Sequence, residues 1–181
     1  MGSTRGLQDF LRRGGVIAYP TESCFGLGCD PRNRRAVQRL LRIKGRPERK
    51  GLILIASRLS QLKTYLAPLS ADQVAQLNSK WPGPHTWLVP ASHNCPFWLT
   101  GRHSTLAVRV TAFAPAARLC REAGMALVST SANRSGQKSA RTAKECARLF
   151  GSKVRVIPGR VGKRRRPSTI QDLATGKILR P

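Results

Sequence analysis

The spacing of hydrophobic positions changes period several times along this chain, and each change marks an element. Leu7, Phe10 and Leu11 share one helical face over residues 7–13, and Gly14 and Gly15 end the pattern. Residues 16–19 read as a strand stopped by Pro20, followed by a glycine-punctuated loop, PTESCFGLGCDP. Asn33 is placed to cap a second helix, in which Ala36, Val37, Leu40 and Leu41 form an apolar stripe that Lys44 continues at helical spacing. Gly45 and Pro47 turn the chain into an unbroken apolar run, Leu52, Ile53, Leu54 and Ile55, which predicts a strand buried on both faces. Polar helices are expected at 58–67 and 70–80, then a hard turn at WPGP (81–84) and a strand at 86–89. Over 105–110 the pattern alternates, with Leu106, Val108 and Val110 on one face and Thr105, Ala107 and Arg109 on the other. A helix over 114–123 ends at Gly124, and a short strand at 126–128 runs into STSANRSG. Thr142 can cap a helix through Phe150, with Gly151 just past its end. Strands at 154–157, 169–173 and 178–179 complete the pattern, and GKRRRP (162–167) reads as a mobile basic loop. Strands alternating with helices predict an α/β fold around a mixed sheet, in a single domain spanning 1–181.

Composition changes this picture at one point, the charge. Thirty-three Lys and Arg face eight Asp and Glu, a formal +25, and the excess runs along the whole chain. That predicts a polyanionic partner, RNA first of all. With no recognition helix and no aromatic RNA-binding signature in view, tRNA or double-stranded RNA is expected to bind through electrostatics alone. The acids stand singly, so no protein cage for metal ions is expected, and Mg2+ would arrive on a nucleotide. Cys24, Cys29, Cys95, Cys120 and Cys146 form no CxxC pair and read as free thiols of a reducing, cytoplasmic compartment. Neither a membrane-spanning apolar run nor a signal peptide is visible, so no membrane partner is expected.

Two polar clusters carry candidate chemistry. In KGRPERK, Lys44, Arg46 and Lys50 are held near one end of the sheet by the helix before them and the strand after. Two like charges about 4 Å apart repel by roughly 1 kcal/mol in water and about 4 at an effective dielectric of 20. Glu48 alone lies nearby to offset this. An anion of several charges would relieve the repulsion, a nucleoside triphosphate being the natural candidate; a solvated basic loop is the plainer alternative. The second cluster is Ser129-Thr130-Ser131-Ala132-Asn133 with Ser135-Gly136. It follows a strand, where ligand loops gather in α/β sheets, and its hydroxyls and amide suit phosphate or a small polar ligand. A helix-capping turn is its plainer reading. A P-loop and a GxSxG are both missing, and Pro31 stands where a dinucleotide fingerprint starting at Gly26 needs its third glycine.

In chain order, AYPTESCFGLGCDP, KGRPERKGLILIA, WPGPHTWLVP, TLAVRVT, LVSTSANRSG and PSTIQDL resemble the YrdC/TsaC family of threonylcarbamoyl-adenylate synthases, in its short single-domain bacterial form. The resemblance implies a twisted mixed sheet flanked by helices, with a basic concave face. It implies a nucleotidyltransferase that joins L-threonine, bicarbonate and ATP into threonylcarbamoyl-AMP and pyrophosphate, for a transferase complex that modifies tRNA next to the anticodon. By motif position, Arg46 and Lys50 would hold the ATP phosphates with Lys44 beside them. Thr105, Ser131, Ser139 and Arg180 would contact the nucleotide, and Asn133 would order the same loop. Ser23, Arg109, Ser129 and Ser168 would surround threonine, Arg109 pairing with its carboxylate. Ser23, Cys24 and Phe25 stand where many relatives have Thr, Val and Tyr; Ser keeps the hydroxyl and Phe loses one. Two rivals compete. The carbamoyl-adenylate module of hydrogenase-maturation carbamoyltransferases belongs to longer chains with CxxC zinc modules. An RNA-binding or ribosome-assembly factor would use the basic face alone, and leaves the SxN loop and Arg109 without a purpose.

Overall fold

Capping chemistry sets the helix boundaries in the computed structural model, which describes residues 4–181. Asn33 Oδ1 accepts from the Ala36 amide at 3.1 Å and starts helix α2, Arg34–Lys44; Gly45, in the left-handed region, stops it. Thr142 and Glu145 form a reciprocal capping box at the start of α6, Ala143–Phe150. The other helices are α1 (Thr4–Arg12), α3 (Ala71–Asn78), α4 (Phe97–Thr100) and α5 (Ala114–Ala123). Among the described residues, no helix is long and apolar enough to cross a membrane.

The strands are β1 (Ile17–Pro20), β2 (Phe25–Gly28), β3 (Ile53–Ala56), β4 (His85–Pro90), β5 (Thr105–Val110), β6 (Leu127–Ser131), β7 (Arg155–Val156), β8 (Thr169–Asp172) and β9 (Ile178–Arg180). They form one nine-stranded mixed sheet in the order β7-β1-β2-β6-β3-β5-β4-β8-β9. Strand alternation sorts the side chains onto two faces. Ala18, Leu27, Leu54, Val108 and Val128 join the larger core with α2, α6 and Trp87. Ile17, Tyr19, Ile55 and Leu127 point the other way and are covered by Leu7 and Leu11 of α1 and by Ala116, Leu119 and Cys120 of α5. On that second face, Gly26, Ile53, Leu88, Ala107, Ser129 and Ile170 instead line a cavity of about 600 Å³.

The structure corrects three local expectations and adds one element. The PTESCFGLGCDP stretch is not all loop: its FGLG is β2, fully buried between β1 and β6. Glycine is required there because a Cβ on Gly28 would stand 2.7 Å from the Val128 carbonyl and 2.8 Å from the Tyr19 ring. Residues 58–67 form two separate 3-10 turns, Leu59–Gln61 and Lys63–Tyr65, rather than a helix. There the Gln61 side chain accepts from the Ser57 amide, and Leu66 bridges to Ala91 ahead of Pro68. The single turn α4 had no expectation at all. The GKRRRP segment is tethered, since Gly162 N–H donates to the Thr21 carbonyl at 2.9 Å and Arg164 N–H to the Glu22 carbonyl at 3.1 Å.

Candidate active site

Every site residue named from the motifs lines the one cavity. Its floor is the open part of the sheet, and the strand register orders it. Ile53 lies opposite both Ala107 and Ser129, and Ile55 lies opposite both Arg109 and Leu127. Thr105 and Ser131 therefore stand toward the cation loop, and Arg109 stands four residues deeper along β5 than Thr105. Thr86 pairs with Ile170, and Ile170 with Arg180, which carries the Arg109 level across to the edge strand.

At the loop end, Lys44 is buried and its ammonium is not free. Nζ donates to Ser131 O (2.6 Å) and Asn133 Oδ1 (2.8 Å), with Ser131 Oγ at 3.1 Å and Asn133 O at 3.3 Å. Asn133 Oδ1 also accepts from Ser131 Oγ at 2.6 Å and from Ser139 Oγ at 3.4 Å, while its Nδ2 donates to Arg134 O and Gln137 O. One lysine and one amide thus fix the whole serine-rich loop. Oxygens compensate Lys44, not Glu48, which makes no ion pair among the described residues. Burial, and next the charge of Arg46, push the Lys44 ammonium down to about 8. The Arg46 guanidinium curls back onto Gly51 O (2.9 Å) and Lys50 O (3.3 Å), and burial lowers its pKa as well. Lys50 is exposed. Gly51 and Gly101, both at positive φ, let this loop press on α4 backbone to backbone: a Cβ on Gly51 would meet Thr100 O at 2.8 Å, and one on Gly101 would meet Arg49 O at 2.6 Å.

At the deep end, Arg109 is buried and lies 3.5 Å from Glu22 Oε2, a separation without a hydrogen bond. Glu22 Oε1 is held by the Thr111 hydroxyl at 2.8 Å. Arg109 Nε and Glu22 Oε2 have no hydrogen-bond partner among the described residues. Arg180 donates through Nε and Nη2 to Ser168 O (3.0 and 2.7 Å), and its pKa is lowered by burial and then by Arg109. Ser168 Oγ shares a 2.8 Å bond with the Thr86 hydroxyl, and Ser129 Oγ accepts from Tyr19 OH at 2.8 Å. Burial raises the Tyr19 pKa, so this phenol stays a donor. Ser23 lines the same cavity beside Thr21 and Cys24.

The partners Glu22, Tyr19, Thr86 and Thr111 could not be paired from the sequence, because each meets its partner from a segment distant in the chain. Glu22 alone left a signal, as a lone acid inside a motif. No group of three or more His, Cys, Asp or Glu side chains converges on a metal position among the described residues.

A sheet floor with cations at a helix end and the turn after it on one side, and guanidiniums on strands at the other, makes this an α/β protein with a basic cavity whose two ends differ. Comparison with known proteins then gives it a place: the chain belongs to the Sua5/YciO/YrdC family, whose model, described as "Telomere recombination", matches residues 9–181. It is 67% identical over 177 residues to a protein of Methylobacillus flagellatus named threonylcarbamoyl-AMP synthase, covering 98% of each chain. Among solved structures it superposes on P. abyssi Sua5 complexed with L-threonine at a TM-score of 0.89 with 32% identity, over 98% of this chain; the chain spans about half, 53%, of that longer one. It superposes on E. coli YciO at a TM-score of 0.83 with 26% identity, over 99% of this chain and 90% of that one. The expected mixed α/β sheet and the family resemblance both hold.

Proposed function

We propose that this protein makes threonylcarbamoyl-AMP and pyrophosphate from L-threonine, bicarbonate and ATP. The observation that carries the reading is the convergence of all the motif residues on one cavity with two differently charged ends. The threonine ammonium group and bicarbonate condense to a carbamate, losing water and a proton. A carbamate oxygen then attacks the α-phosphorus, and the bond to pyrophosphate breaks. Negative charge gathers on the phosphates, so catalysis is positioning and cationic stabilisation. Arg46 and Lys50 take the phosphates. Lys44 acts through the loop it holds, presenting Ser131 and Ser139 to the nucleotide with Asn133 as the knot; Thr105 and Arg180 complete the nucleotide contacts. Arg109 takes the threonine carboxylate, with Ser23, Ser129 and Ser168 around the amino acid. Mg2+ comes with ATP, since among the described residues no Asp or Glu lines the cavity. The product goes on to a transferase complex that modifies tRNA in the cytoplasm.

The test is direct: incubation with ATP, threonine and bicarbonate should yield threonylcarbamoyl-AMP by mass spectrometry. Pyrophosphate release that ignores threonine would overturn the reading. A second activity, electrostatic binding of tRNA or duplex RNA, is favoured by the exposed Arg155, Arg160, Lys163, Arg165 and Arg166, none of them in an ion pair among the described residues. Its affinity should fall log-linearly with salt.

A further inference from the structure

Outside the cavity, α4 carries an aromatic surface. Phe97 is 55% exposed, and the partly covered Trp98 meets its ring edge-on with centroids 5.5 Å apart. Trp98 is pinned by its indole N–H, which donates to the Pro31 carbonyl at 3.0 Å. Arg34, the first residue of α2, lays its guanidinium against both rings, 5.3 Å from the Phe97 centroid and 5.8 Å from that of Trp98. An exposed phenylalanine alone is ordinary. Here an arginine is stacked on it and further arginines stand around it. Arg34, Arg35, Arg49 and Arg102 are exposed, and none is in an ion pair among the described residues. Arg49 and Arg102 are joined by a backbone hydrogen bond just past α4, where Gly101 N–H donates to the Phe97 carbonyl. Leu99, Thr100 and His103, immediately along the chain, line the cavity.

We infer that this aromatic–arginine platform beside the cavity binds an unpaired RNA base. The rings and the guanidinium are fixed before any ligand arrives, so stacking costs little ordering. A base can lie on Phe97 while the neighbouring arginines meet its flanking phosphates. Every base has a π-face, so sequence should matter little, and a base inside a duplex cannot offer that face. The platform does not rest on the synthase reading.

Trp81 and Trp87 are buried, 6% and 2% exposed, so a fluorescence change on ligand binding reports chiefly on Trp98. Oligouridylate added to the wild-type protein at low salt should quench tryptophan emission, whereas duplex RNA of equal length should bind without quenching. Phe97→Ala should weaken oligouridylate binding about tenfold, leave duplex binding and ATP-dependent pyrophosphate release unchanged, and be rescued by Phe97→Trp. Equal single-strand affinity in wild type and Phe97→Ala, or no single-strand binding at all, would overturn the proposal. So would equal quenching by duplex or by polyglutamate, which would mark a merely electrostatic surface. A protein that fails to make threonylcarbamoyl-AMP yet is quenched by oligouridylate keeps the platform and loses the other reading.

Discussion

The two ends of the cavity compensate positive charge in opposite ways. At the loop end, Lys44 closes α2 and Arg46 follows it in the turn; both are met by backbone carbonyls and one amide, with Lys50 exposed beside them. At the deep end, Arg109 is fixed within a strand and faces the carboxylate of Glu22, with Arg180 level with it across the sheet. A carbonyl holds a cation in place but cancels little of its charge, so the loop end keeps most of its field for a ligand. A carboxylate removes a whole charge, so Glu22 leaves the deep end a weaker field than the loop end. The first arrangement suits a polyphosphate and the second a single carboxylate.

Substitutions that act on one end alone test that difference. Lys44→Met removes two short charge-assisted bonds, about 3 kcal/mol together. Pyrophosphate release should fall about a hundredfold, with threonine affinity little changed; a loss shared equally by both ligands would show that the ends are not separate. Arg109→Ala should weaken threonine binding by calorimetry about thirtyfold, roughly 2 kcal/mol, with ATP affinity held. An unchanged threonine affinity would remove Arg109 from the amino-acid site. Arg46→Ala and Lys50→Ala should each lower kcat/KM for ATP at least about tenfold, about 1.4 kcal/mol, and wild-type rates in folded variants would return this loop to solvated surface. Glu22→Gln should raise the threonine KM about fivefold by loosening Arg109 while sparing the ATP KM; equal changes in both would make Glu22 a general stability residue.

The smallest effect is in pH. Folding brings Lys44 from 10.5 to about 8, so between those values the unfolded chain holds a proton the folded one has released. Stability should therefore rise with pH across that window, while activity falls a few-fold as the amine loses a donor. Melting curves and rates measured together should move in opposite directions, and Lys44→Met should lack that stability gain.

Much of this was legible in the sequence where the information is local. The caps at Asn33 and Thr142, the helical stripe ending at Lys44 and the alternation placing Arg109 opposite Leu106 and Val108 need only neighbours within a few residues. Local reasoning failed where a distant partner decides. Gly26 and Gly28 look like loop residues until the Tyr19 ring lies across them. Leu59, Leu62, Tyr65 and Leu66 keep a spacing that fits a helix or a pair of 3-10 turns, and the bridge to Ala91 selects the turns. Lys44, Arg46 and Lys50 looked mutually repulsive because the oxygens that hold Lys44 come from residues 131 and 133.

The strand order also has a consequence in time. β2 finds its inner neighbour in β6, β1 its outer one in β7, and β4 gains β8 from near the end of the chain. A polypeptide emerging from its N-terminus would first hold only the β1–β2 hairpin, too little to be stable alone. The cavity floor waits for Ser131 and its far wall for Arg180, so a part-made chain has no nucleotide seat. Non-local pairing of this kind folds slowly, and until β6 arrives the facing edges of β2 and β3 stand open to other chains. The same topology that gathers the site from six distant segments makes its assembly wait until β8 and β9 have been made.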